Sequence, residues 1–212
     1  MRSSVAVKDG EPNTKVCYPE PHRAKPARDH QMNPFTSILN LFKPTEPSES
    51  HKRWLEGSAA YERGEALLQA RQNQEALVFL DTAIKFGYDA DGQAYVLRGI
   101  CLQELEFQLD AIEDFDKAIA ANPTDSNLYF MRSVSKLAIG DFQGEVADLE
   151  EAIRVATLHP AANRSHDDGA KEMGYKGGIV QLYGMRLVSA KLHLDSHEVA
   201  ARLRAKARRR AT

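Results

Sequence analysis

Two small clusters of histidine and aspartate come closest to a chemical site in this chain. One is a consecutive run, and the other alternates with different residues. Their members are His166, Asp167, Asp168, His193, Asp195 and His197. Imidazole and carboxylate groups bind a metal such as Zn²⁺ when three or four of them converge. The first cluster has no second group at ligand spacing, and the second straddles an expected helix boundary, so neither predicts a metal centre.

Other patterns of catalysis, secretion or membrane insertion are missing from the sequence. It contains no glycine-rich phosphate loop and no nucleophile motif. Cys17 lies in a polar leader and Cys101 in an expected helix, which argues against a disulfide framework and favours a reducing compartment. No apolar run approaches the ~20 residues that cross a bilayer, and the N-terminus lacks the apolar core of a secretory signal. We therefore expect a cytoplasmic protein without enzymatic activity, cofactor, metal or transmembrane segment.

The C-terminus is strongly basic, with no acidic residue after Glu198. The cations of this basic tail are Arg202, Arg204, Lys206, Arg208, Arg209 and Arg210. They offset the dipole at the end of a helix, or they form an electrostatic tether to nucleic acid or an anionic membrane. Residues 57–156 hold 18 acidic and 8 basic residues, a net charge of −10, which repels phosphate within a Debye length of ~8 Å. Nucleic-acid binding is thus disfavoured, and a clasp between the tail and the acidic body fits the same charges.

A block of 34 or 35 residues recurs three times and sets the organisation of the chain. Its markers are Arg63-Gly64, Arg98-Gly99 and Arg132-Ser133, then Ala83-Ile84, Ala118-Ile119 and Ala152-Ile153. A period of this length indicates helical units stacked on copies of themselves, because one unit is too small to bury its own apolar face. Glycine inside a helix costs about 1 kcal/mol relative to alanine. Its recurrence predicts a close approach of another helix at that point.

The middle copy carries a family resemblance. It runs Tyr95-x2-Arg98-Gly99-x2-Leu102, then Ala111-x3-Phe115, Ala118 and Pro123. This pattern resembles the tetratricopeptide repeat, and the resemblance covers about residues 57–160. It implies an all-α protein, an α-solenoid of stacked antiparallel helix pairs. Residues 51–160 would hold three repeats at about 57–91, 92–125 and 126–159. Cys101 is then a small core residue.

Both ends of the chain differ from the repeats. Residues 1–50 are rich in proline and predict a disordered leader with a short amphipathic helix at 33–43. A further hypothesis is that Met32 is the true start. Residues 161–212 predict a degenerate fourth helix pair, with a loop at 159–169 and a first helix from Gly177 that carries Val180, Gly184 and Leu187. In this interpretation Asp195 caps a second helix, Glu198 completes a capping box, and Val199 and Leu203 face inward.

The resemblance also implies where a partner binds. In this family a peptide usually lies along the first helices of the pairs. The matching positions here form a predicted groove: Tyr61, Glu65, Gln69, Gln93, Val96, Ile100, Gln103, Asn127, Phe130, Val134 and Leu137. Some relatives grip acidic chaperone tails with cations, but the matching places carry Tyr61, Glu65, Leu97, Asn127 and Met131.

We therefore expect a protein-protein interaction scaffold that binds an apolar or amphipathic peptide segment, which suits such a surface. The alternative is that part of the set, especially Ile100 and Val134, belongs to the core. The sequence leaves the identity of the partner and the oligomeric state open.

The recurrent arginines have a structural interpretation. Arg98 and Arg132 are matched by Asp114 and Asp148, which recur 34 residues apart in the second helices. Buried charges are normally paired, so the spacing predicts bridges between helices. The first copy has Phe79 at the corresponding place, and Arg63 is expected to lack that partner.

Overall fold

A computed structural model of the chain describes residues 47–88 and 92–211. Within these ranges the protein consists of eight helices without a strand. They are α1 (Glu49–Gln69), α2 (Asn73–Lys85), α3 (Gln93–Glu104), α4 (Gln108–Ala121), α5 (Ser126–Ala138), α6 (Phe142–Leu158), α7 (Arg164–Glu172) and α8 (Gly178–Ala211). No helix in these ranges is both long and apolar enough to span a membrane. The prediction of an all-α solenoid is confirmed, whereas the helix predicted at 33–43 lies outside the described residues.

Three helix pairs form the body of the stack. The helices α1 and α2, α3 and α4, and α5 and α6 pack within pairs, and α2 packs on α3 as α4 packs on α5. Helix α1 begins at Glu49, earlier than the predicted repeat, because the Ser48 side chain caps it by accepting from the backbone N of His51 at 3.2 Å. The Asp125 side chain caps α5 by accepting from the backbone N of Asn127 at 2.9 Å.

Small residues let the two helices of a pair approach closely. The alanines Ala76, Ala111 and Ala152 of the second helices have no exposed surface. A Cβ atom added to Gly64 would lie 2.8 Å from Leu80 Cγ, and one added to Gly99 would lie 2.9 Å from Phe115 Cε1. These distances are shorter than van der Waals contact, so the close approach predicted from the recurrent glycines is confirmed.

The C-terminal pair differs from the sequence interpretation. The predicted loop at 159–169 contains the start of α7, and α8 is one continuous helix of 34 residues. Asp195 and Glu198 lie inside it, so the predicted capping box is wrong. Val199 and Leu203 are more than half exposed rather than inward-facing. Between Ala190 and Ala200 there is no glycine or proline to interrupt the backbone hydrogen bonds, and the helix therefore continues.

The contact between α6 and α8 sets the position of α8 on the stack. Ile179, Tyr183 and Ala190 are buried on this side of α8, one residue out of phase with the predicted Val180 and Gly184. At the other end of the contact the Phe142 ring lies 5.1 Å from the His197 ring, centroid to centroid. Phe142 is the first residue of α6, so α8 beyond His197 runs past the end of α6.

A buried polar side chain just before α7 connects this end of the stack, and no repeat position predicts it. Asn163 is buried, and its Oδ1 accepts from the backbone N and the Oγ of Ser126 at 2.8 and 2.7 Å. Its Nδ2 donates to the carbonyl oxygens of Thr124 and His159 at 3.0 and 2.9 Å. All hydrogen-bonding atoms of this side-chain amide thus have partners, as burial requires.

One buried carboxylate at the α6–α8 contact lacks such partners. Glu145 is only 3% exposed, and its Oε2 atom has no hydrogen-bond partner among the described residues. Burial raises the pKa of Glu145 above its ordinary value, although His193 and Arg186 act in the opposite direction. The charged form is therefore disfavoured where α8 docks.

The close approach at Gly99 predicts that alanine substitution changes the free energy of unfolding in opposite directions at two helical glycines. Gly99→Ala should lower the free energy of unfolding by about 1 kcal/mol, because overpacking against Phe115 outweighs the gain in helix propensity. Gly184→Ala in α8 meets no atom within 4 Å and should raise it by up to about 1 kcal/mol. Urea denaturation measures both. A stabilising Gly99→Ala would contradict the close approach.

A second prediction concerns Glu145 and pH. A carboxyl whose pKa is raised by folding destabilises the protein as pH rises from the unfolded-state value through the folded-state value. Glu145→Gln should therefore increase the free energy of unfolding at pH 7, and the difference from the unmodified protein should vanish near pH 4. Urea denaturation at several pH values measures this. A difference that does not change with pH would exclude the charge as its cause.

Candidate functional site

The exposed side of the first helices α1, α3 and α5 is the candidate functional site. Four predicted groove residues on α3 and α5 are half-buried apolar side chains: Val96, Ile100, Val134 and Leu137. Among the described residues, the buried clusters of the core are built from others, such as Leu80, Cys101 and Phe115. Ile100 and Val134 occupy equivalent positions of successive pairs, so an apolar side chain recurs at this position from one pair to the next.

An aromatic cluster lies at the α1 end of this face. The Tyr88 ring lies 5.3 Å from the Tyr61 ring and 5.8 Å from the Trp54 ring, centroid to centroid. Half of the Trp54 side chain stays exposed. Burial raises the pKa of Tyr61, with a further contribution from the negative charge of Glu65. The repeat pattern predicts Tyr61 at this face but not Trp54 or Tyr88, because Trp54 precedes the predicted repeat and Tyr88 follows its second helix.

Three predicted groove residues have structural partners instead. The Phe130 ring stacks on the Tyr183 ring of α8 at 5.0 Å. The Gln103 Nε2 atom donates to the carbonyl oxygen of Met131 and to Ser135 Oγ, at 2.8 and 2.7 Å. The Asn127 Nδ2 atom contacts Met131 Sδ at 3.4 Å. The remaining members Glu65, Gln69 and Gln93 are polar, and Gln69 and Gln93 are exposed.

Arginine side chains connect successive pairs on the side of α3 and α5 that faces the second helices. Arg98 of α3 donates from Nε and Nη2 to the two carboxylate oxygens of Asp114 in α4, both at 2.7 Å. Its Nη1 atom donates to Asp81 of α2 at 2.6 Å. Asp114 is only 2% exposed. One guanidinium thus connects its own pair to the preceding pair. Its two hydrogen bonds to Asp114 have the bidentate geometry that suits arginine.

The same arrangement recurs one pair later. Arg132 of α5 binds Asp148 of α6 with two hydrogen bonds, at 2.9 and 2.6 Å, and also pairs with Asp116 of α4. Lys136 adds a second cation at 2.9 Å from Asp148. The predicted bridges are confirmed. The cations of α3 and α5 are thus paired within the protein. Arg63 of α1 is exposed and has no acidic partner among the described residues, as expected.

The histidine and aspartate clusters serve the structure as well. His166 Nε2 lies 3.4 Å from Asp125 Oδ1, and this hydrogen bond raises the pKa of His166. Asp167 accepts from the backbone N of Ile179 at 3.0 Å in the first turn of α8. In the part of the chain that the structure describes, no three histidine, cysteine or acidic residues are placed to hold a metal ion. Cys101 is fully buried, which confirms its interpretation as core and raises its pKa to about 11.

Two further surfaces lie away from the predicted groove. The side chains of Arg202, Arg204, Lys206, Arg208 and Arg209 are exposed along α8. Arg202 pairs with Glu198 at 3.1 Å. The exposed side chains of Phe107, Leu109 and Ile139 surround an open cavity of about 640 Å³ at the turns that join α3 to α4 and α5 to α6. No periodic pattern in the sequence predicts this patch, because residues at turns follow no helical period.

Solved structures with similar folds include proteins of type III secretion. PcrH, in complex with the chaperone-binding region of PopD, matches at a TM-score of 0.53 with 16% identity, over 64% of this chain and 90% of the PcrH chain. The Yersinia enterocolitica type III secretion translocator chaperone SycD matches at 0.55 with 13% identity, over 77% and 95%. A T3SS complex from Aeromonas hydrophila matches at 0.55 with 15% identity, over 75% and 89%.

At these identities the likeness concerns the fold. The chain has a tetratricopeptide-repeat-like fold of stacked helix pairs. A scan against protein-family models and a search of curated protein sequences gave no match.

The arginine bridges lead to a prediction for which the repeat supplies its own control. Arg98→Met should lower the free energy of unfolding by about 2–3 kcal/mol, because it leaves the buried Asp114 carboxylate without its main partner. Arg63→Met, at the equivalent position with an exposed side chain, should change it by less than about 0.5 kcal/mol. Urea denaturation compares them. Equal effects of the two substitutions would show that the bridge does not stabilise the stack.

Proposed function

We propose that this protein is an interaction scaffold that binds an apolar or amphipathic peptide segment along α1, α3 and α5. The observation that carries the proposal is that four predicted groove positions on two successive pairs hold half-buried apolar side chains, Val96, Ile100, Val134 and Leu137. Stacked helix pairs present such extended surfaces to partners. The protein would act by binding rather than by catalysis, in the cytoplasm.

The charge of the face supports the choice of peptide. The eleven predicted groove positions contain one acidic residue, Glu65, and no lysine or arginine. The cations of α3 and α5, which are Arg98, Arg132 and Lys136, bind aspartates of the second helices. An acidic tail would therefore find no free cation at these positions, whereas apolar side chains gain from the loss of water-exposed surface.

The similar structures support the same reading by analogy of fold. PcrH has been solved with the chaperone-binding region of PopD, so a stack of this shape holds a segment of another protein. Fold alone does not transfer a partner, and the residues of this chain must decide which segment fits. The electrostatic tether through the basic tail rests only on the exposure of its cations, and no further observation favours it.

Selection from a random peptide library tests the proposal. The probe is a library of peptides of about 15 residues, displayed on phage and selected on the full chain. We expect enriched peptides with regularly spaced apolar residues and few acids. Their affinity, measured by fluorescence anisotropy, should fall at least about tenfold in Ile100→Glu and Val134→Glu, a loss of about 1.4 kcal/mol, because each places a charge in the apolar contact.

The matched control is Val78→Glu, on the exposed side of α2, which should leave the affinity unchanged. Phe130→Glu is a poorer probe, because Phe130 packs on Tyr183 and its loss also disturbs α8. Failure to enrich any peptide, enrichment of acidic peptides, or equal affinities in all variants would contradict the proposal.

A further inference from the structure

Helix α8 carries an apolar stripe on the side turned away from the stack. Its members are Met185, Val188, Leu192, Val199 and Leu203, and each is more than half exposed. Their spacings of three, four, seven and four residues place them on one side of a helix. At about 100° per residue, this side lies opposite Tyr183 and Ala190, which are buried against the stack.

The terminal helix of a helical stack is expected to turn a polar side to water. The sides of α2 and α4 that turn away from their own pairs pack on the next pair, whereas the stripe of α8 is exposed in the described residues. The stripe therefore occupies the side that a second, antiparallel helix would cover. It also continues past the end of α6 to Val199 and Leu203, where the stack no longer supports α8.

We propose that this stripe is covered by α8 of a second copy of the chain, packed antiparallel about a two-fold axis near residue 194. The stripe is nearly symmetric about that point. Met185 and Leu203 lie nine residues on either side of it, and Val188 and Val199 lie six and five residues away. Antiparallel packing thus places Met185 of one copy against Leu203 of the other, and Val188 against Val199.

The charges of α8 select this orientation. Every charged residue after Glu198 is a cation, and five of these side chains are exposed between Arg202 and Arg209. A parallel pair would bring the two basic ends side by side, and like charges at close range are destabilising. An antiparallel pair moves them to opposite ends of the interface.

The size of the stripe is sufficient for a reversible dimer. Five side chains in each copy, each losing roughly 100 Å², bury on the order of 1,000 Å² in total, the lower limit expected of a specific interface. We expect a dissociation constant on the order of micromolar. The dimer is independent of the proposed peptide-binding face, which lies on α1, α3 and α5.

Sedimentation equilibrium of the full chain between about 1 and 100 µM tests the dimer. The mass should rise towards that of two chains with concentration. Val199→Glu combined with Leu203→Glu should keep the chain monomeric and should leave the helical circular dichroism signal unchanged at concentrations where the dimer is absent, because both residues lie beyond α6. Val78→Glu combined with Leu109→Glu alters equally exposed apolar residues elsewhere and should still dimerise. A chain that is monomeric at 100 µM, or equal association of both variants, would overturn the proposal.

Cysteine cross-linking tests the orientation, in a Cys17→Ser background with Cys101 left buried. Met185→Cys and Leu203→Cys combined in one chain should form disulfide-linked dimers under mild oxidation, whereas Leu203→Cys alone should not. Efficient cross-linking by Leu203→Cys alone would indicate a parallel pair and overturn the antiparallel arrangement. No cross-linking in any variant of a chain that dimerises would place the interface elsewhere.

Discussion

The close approach of the two helices within each pair is the constraint on which the rest of the structure depends. Gly64 lies against Leu80 and Gly99 against Phe115, with no room for a Cβ atom in either place. Because the backbones meet at these points, the alanines of the second helices are fully buried and the larger side chains fill the space between pairs. No pair buries its apolar side alone, so stability comes from the neighbours in the stack.

The arginines at these same points add an orientation that apolar packing does not specify. Arg98 and Arg132 each bind one aspartate of their own pair and one of the preceding pair. Two planar guanidinium contacts fix both distance and angle. Lys191 of α8 continues the series by pairing with Glu150 of α6 at 2.8 Å. The cations of α3 and α5 are therefore engaged with the second helices, and the proposed binding positions on α3 and α5 are apolar or uncharged polar residues.

The two ends of the stack are finished by different means. At the first pair, Trp54, Tyr61 and Tyr88 form an aromatic cluster that remains partly open to water. At the last pair, the buried amide of Asn163 and the carboxylate of Asp167 hold α7 and the start of α8 in place. Where α8 docks, the Tyr183 ring stacks on the Phe130 ring, so Phe130 of α5 is engaged in an internal contact. The docking of α8 that closes the stack thus also takes one residue from the proposed binding face.

The features that repeat can be predicted from the amino-acid sequence alone. The period, the small residues at helix contacts, and the match of Arg98 and Arg132 with Asp114 and Asp148 all follow from spacings of 34 or 35 residues, since equivalent residues meet equivalent neighbours. The features that do not repeat depend on tertiary contacts. Asp195 and Glu198 could cap a new helix, but α8 continues through both. The capping residues alone do not decide whether a helix stops, because the backbone hydrogen bonds of a continuous helix and its packing on α6 also contribute. The loss of Phe130 and Gln103 to internal contacts depends on partners in α8 and α5 that no periodic pattern identifies.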